Sequence, residues 1–119
     1  MSPDQVAAPT PGLTLRSYSW EDAIVVQCIG ELTVEHSESF KSHVRNVLPK
    51  AKRLIIDFKG VNRVDSSGLG AIVGLYISAR KGACEFLLMN YNSTVKNLLG
   101  LTNLLSVFED CAKRGTRLP

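Results

Sequence analysis

The chain has 119 residues, 45% of them apolar and 7% aromatic, which is the size of one compact domain around one core. Fourteen basic residues against eleven acidic ones leave a net charge of +3, and the Lys and Arg are too dispersed for an electrostatic grip on nucleic acid to be expected. No apolar run is long enough to cross a membrane, the N-terminus lacks a secretory layout, and Cys28, Cys84 and Cys111 are odd in number with no CxxC pair, so the sequence argues against membrane insertion, a disulfide framework or a zinc site and for free thiols in the cytoplasm.

Residues 1–12, with Pro3, Pro9, Pro11 and Gly12, read as a flexible tail. Leu13, Leu15 and Tyr18 begin a strand, and Ile24 to Ile29, closed by Gly30, form a second, the two joined near Glu21 and Asp22. Phe40, Val44, Val47 and Leu48 stand at i, i+4, i+7 and i+8 before Pro49, the pattern of an amphipathic helix with a stop. His36 and His43 are seven apart and share a face of that helix; without a metal-type partner pattern they read as surface residues.

Leu54 to Phe58 is short and almost wholly apolar, as a central strand covered on both faces should be, and Lys59 to Asp65 reads as a connection. Leu69, Ile72, Val73 and Tyr76 give a second helical stripe, narrowed by Gly68, Gly70, Ala71 and Gly74. Glu85 to Met89 predicts another strand. Ser93 is placed as the cap of a third helix that stops at Gly100, and a last strand is expected around Leu104 to Phe108. The domain thus spans 13–110, with a short basic tail at 111–119. The order β-β-α-β-α-β-α-β predicts an α/β fold, a small, mixed, mostly parallel sheet with helices packed on it.

One stretch carries chemistry: Val64-Asp65-Ser66-Ser67-Gly68-Leu69-Gly70 puts two hydroxyls and two glycines at a helix start. A helix N-terminus presents unpaired N–H groups, so a serine there serves as a cap or carries a phosphate that the backbone tolerates. Other chemistries fail on spacing. Ser66 and Ser67 have Val64 and Asp65, not glycine, two positions earlier, so there is no nucleophile elbow. Gly68, Gly70 and Gly74 miss the dinucleotide spacing by one residue, and no P-loop occurs. No catalytic residue, metal or cofactor is expected.

Three segments, in this order along the chain, resemble a known family: the Gly30-Glu31-Leu32 loop, the strand, turn and helix Leu54-Ile55-Ile56-Asp57-Phe58 to Val64-Asp65-Ser66-Ser67-Gly68-Leu69-Gly70, which is the most specific, and Ser93 through Leu101. The chain is similar from about Leu13 to Phe108 to the STAS domain, and within it to the bacterial anti-sigma factor antagonists, or anti-anti-sigma factors. The resemblance implies a non-enzymatic regulator with Ser66 as phosphoacceptor and Ser67 as the second choice. It implies an anti-sigma factor serine kinase as partner, bound by the unphosphorylated form so that a sigma factor is released, and a serine phosphatase that resets the cycle; a weak homodimer is left open. The partner-binding surface maps onto Glu31 and Thr33, in a loop after the second strand, and onto Asp65, Ser66, Ser67, Leu69 and Gly70. Leu69 would be an apolar anchor if it projects outward, or core with Ile72 and Tyr76 if it does not. Arg63, three residues before Ser66, is placed to offset part of a phosphate's charge. Thr33 stands where phosphorylation-competent members commonly carry aspartate, which favours the alternative of a constitutive STAS interaction module in a signalling scaffold or a lipid or anion transport complex.

Overall fold

Side-chain alternation in the first half of the domain builds a hairpin, and the helical stripes that follow roof one of its faces. The computed structural model describes residues 5–6 and 12–101. Strand β1 is Gln5–Val6, β2 Leu13–Trp20, β3 Ala23–Leu32, β4 Arg53–Val64 and β5 Glu85–Met89; the helices are α1 Ser37–Val47, α2 Ser66–Lys81 and α3 Ser93–Leu101, with a 3-10 turn at Leu48–Lys50. The sheet order is β1-β2-β3-β4-β5. Strand β2 runs antiparallel to both neighbours while β3, β4 and β5 are mutually parallel, so β2 alone opposes the common direction. This is the mixed, mostly parallel sheet expected. Gln5–Val6 fall inside the expected tail yet pair with Arg16 and Ser17. The strand expected at Leu104 to Phe108 lies outside the described residues.

The principal core sits between the sheet and the three helices. Leu54, Ile56 and Phe58 of β4 meet Phe40 and Val44 of α1, Ile72 and Leu75 of α2, and Val95 and Leu99 of α3. Each fully buried large side chain contributes about 2 kcal/mol relative to leaving it in water. The opposite face buries Val25, Ile55 and Leu87, register partners across three strands, so β4 is central and covered on both sides as its apolar run predicts. Burial also drives the Cys28 thiol well above its ordinary range, which makes it inert packing.

Two expectations change. Strand β4 does not end at Phe58 but continues through the supposed connection to Val64. Against β3 its pairing jumps from Gln27↔Asp57 to Ile29↔Gly60 and from Gly30↔Val61 to Glu31↔Arg63, each time with one extra residue on β4. Such bulges break the period of two, which hid the strand. As a result β3 and β4 run past the ends of both flanking strands and carry the next loops on a projecting tip. Helix α3 is capped not by Ser93 but by Asn92, whose Oδ1 accepts from the Val95 N–H at 2.9 Å; Asn caps as well as Ser, and its amide also donates to the Val61 carbonyl.

Candidate site at the start of helix α2

The tip of β3 and β4 is held together by Asp65. Its Oδ1 accepts from the Gly68 N–H and its Oδ2 from the Val34 N–H, both at 2.9 Å, while its own N–H donates to the Leu32 carbonyl. One carboxylate thereby caps α2 and fixes the loop after β3 to it. The Gly68 N–H leads in holding this carboxyl below its usual range; partial burial opposes it, and the Val34 and Ser67 N–H groups and Arg63 add to it. A depressed carboxyl contributes stability in full above its ordinary value near 4, and loses it as pH falls through the lower folded value. Asp65→Ala is therefore expected to cost about 1 kcal/mol at pH 7, with the gap from the native chain closing toward pH 2 in urea titrations.

With Asp65 as the cap, the serines are released from that duty. Ser66 is the first residue of α2, is exposed, and its hydroxyl has no protein partner among the described residues. Ser67 is half-buried. Gly68 presses on the Leu32 carbonyl so closely that a Cβ would lie 2.1 Å from the oxygen, whereas nothing lies within 4 Å of a Cβ added at Gly70. The first glycine lets the helix dock on β3; the second leaves open backbone one turn beyond Ser66.

The STAS domain model matches residues 16–116. The chain belongs to the STAS domain family. The fold is shared with an anti-sigma factor antagonist from Mycobacterium paratuberculosis, at 19% identity and a TM-score of 0.75, over 86% of this chain and 87% of the other. The Bacillus cell fate determinant SpoIIAA in its phosphorylated form matches at 18% identity and a TM-score of 0.61, over 95% and 99%. A putative anti-sigma factor antagonist from Thermotoga maritima matches at 28% identity and a TM-score of 0.66, over 74% and 77%.

Within this STAS fold the expected surface residues separate. Glu31, Asp65, Ser66, Ser67 and Gly70 come together at the tip, but Glu31 belongs to β3 rather than to a loop. Leu69 is 7% exposed and packs in the core, because its place one turn before Ile72 and Val73 turns it to the sheet; it is not an outward anchor. Thr33 is also buried, its carbonyl accepting from the His36 N–H, so it shapes the loop rather than offering a side chain. The apolar group presented there is Val34, 65% exposed and bound through its N–H to Asp65. Sequence reading missed it, since a lone valine between Thr33 and Glu35 belongs to no periodic stripe. The histidines are not surface residues either. His36 is buried at the start of α1, with an Nδ1 that meets no partner among the described residues, and half-buried His43 shares a hydrogen bond with Ser17 and is held below its ordinary pKa by that burial.

Proposed function

We propose that the chain is an anti-sigma factor antagonist: unphosphorylated, it binds an anti-sigma factor that is also a serine kinase and so releases a sigma factor, and phosphorylation of Ser66 ends the complex. The observation that carries this reading is the division of labour at the helix start. Capping by Asp65 leaves Ser66 exposed and uncommitted. In the modifying step the Ser66 Oγ attacks the γ-phosphorus of a nucleoside triphosphate, the new O–P bond forms as the bond to the departing diphosphate breaks, and the hydroxyl proton passes to a base on the kinase. A serine phosphatase hydrolyses the ester and restores the hydroxyl. The likeness to antagonist structures, one of them phosphorylated, supports the same assignment.

The alternative, a constitutive STAS module of a scaffold or transport complex, draws on Thr33, an uncharged buried residue in place of the usual aspartate. Ser66→Ala and Ser66→Asp baits in extracts of the native host distinguish the two. The antagonist reading expects a small kinase-type ATPase on the alanine bait and its loss from the aspartate bait, with Ser66 as the residue that the captured kinase phosphorylates in the native chain. Identical scaffold or transporter proteins on both baits would establish the module instead.

A further inference from the structure

Arg63 is the last charged residue of β4 before Asp65, and it is poorly matched where it stands. Its register partner on β3 is Glu31, and its Nη1 lies 3.9 Å from Glu31 Oε2, a separation too long for a hydrogen bond. The two side chains are 66% and 43% exposed, so the pair is loose and screened. Arg63 stands near the end of β4, three residues before Ser66, and its charge adds a little to what holds the Asp65 carboxyl down. No hydrogen bond joins Arg63 to Asp65 among the described residues; the Asp65 oxygens take the Val34 and Gly68 N–H groups. The guanidinium, on a residue three positions before the phosphoacceptor, has five donors and no acceptor within hydrogen-bond distance among the described residues.

We propose that Arg63 is the intramolecular receptor of a phosphate on Ser66: on modification the guanidinium leaves Glu31 and takes the phosphate oxygens. Three residues of chain span at most about 10 Å, and the turn into α2 shortens that path, so both side chains reach across it. The exchange is favoured because a phosphate brings about −1.5 to −2 charge and three acceptor oxygens, and guanidinium–phosphate pairs are short and bidentate where the Glu31 contact is neither. Its consequence is a signal at two places. The phosphate is partly neutralised, and Glu31, one of the residues assigned to partner binding, is left as an unpaired carboxylate. A partner fitted to the hydroxyl and the Glu31–Arg63 pair then meets altered charge on β3 as well as on α2.

This inference rests on Ser66 as the acceptor, and its test is independent of any kinase. Phosphoserine is installed at position 66 during translation, and the phosphate's second ionisation, ordinarily near pH 6, is followed by phosphorus NMR. The native background is expected to ionise about half a unit lower than Arg63→Gln, a threefold loss of proton affinity. Arg63→Lys should keep part of that difference, and 1 M salt should erase most of it. The Arg63 Nε–H resonance should also move when phosphoserine replaces Ser66. Position 63 is exposed, and thermal melts verify folding of both variants. Equal midpoints for the native and Arg63→Gln proteins, with an unmoved Arg63 resonance, overturn the proposal. The bait experiment decides separately whether a kinase selects Ser66, so the two failures are distinguishable.

Discussion

Gly68→Ala is expected to destabilise the domain by about 3 kcal/mol, a large share of what a domain of this size has to lose. The added Cβ would stand 2.1 Å from the Leu32 carbonyl oxygen and 3.0 Å from the carbonyl carbon. That oxygen cannot simply retreat, since it accepts the Asp65 N–H that ties the start of α2 to β3. The gain in helix propensity from replacing glycine, about 1 kcal/mol, is too small to offset such a clash. Gly70→Ala, only two residues on, should do the opposite. With open space at its Cβ position, it is expected to stabilise α2 by about 0.5–1 kcal/mol. Urea denaturation of the two variants tests the pair, and equal stability would show that the α2–β3 contact does not constrain the fold. If the partner approaches the backbone at Gly70, larger side chains there should weaken binding while leaving the fold intact. A glycine that costs stability where it stands and is needed for binding would mark the contact surface.

The helices were legible where packing follows a single face. Phe40 and Val44 of α1 and Ile72 of α2 are buried on the faces that their spacing defines. Strand β4 was legible only as far as Phe58, because Lys59 to Arg63 mix polar and apolar residues out of phase and two bulges explain why. The cap of α2 was legible as a segment and not as an atom. Asp65, Ser66 and Ser67 are all competent caps by composition, and only the two short contacts to the Gly68 and Val34 N–H groups separate the capping residue from the free hydroxyl. Val34 and His36 were illegible for a different reason: their environments are made by residues about thirty positions ahead or twenty-four behind, Asp65 in one case and Gly12 in the other. Leu69 shows the converse limit. A signature read as a surface motif contains one residue that the helical period sends into the core.

Ser66→Asp is expected to lower affinity for the proposed anti-sigma factor partner on the order of a hundredfold, with Ser66→Ala within a few-fold of the native chain. The estimate follows from the cost of enclosing one uncompensated charge in a close-fitting interface, about 3 kcal/mol. The fold should not share that cost. An acidic residue at the first position of a helix is favoured by the helix dipole by about 0.3–1 kcal/mol, although Asp65 beside it reduces the gain. Thermal stability of the aspartate variant should therefore lie close to that of the native chain, and a binding loss cannot be assigned to unfolding. Calorimetric titration of the partner with both variants, repeated at high salt, measures the two components. The exposed part of the penalty should shrink with screening, and the desolvation part should remain. Equal affinities of the alanine and aspartate variants would remove charge exclusion as the basis of the switch. A large difference that persists at high salt would place Ser66 inside the contact, where a phosphate, with about twice the charge of the aspartate, must act at least as strongly.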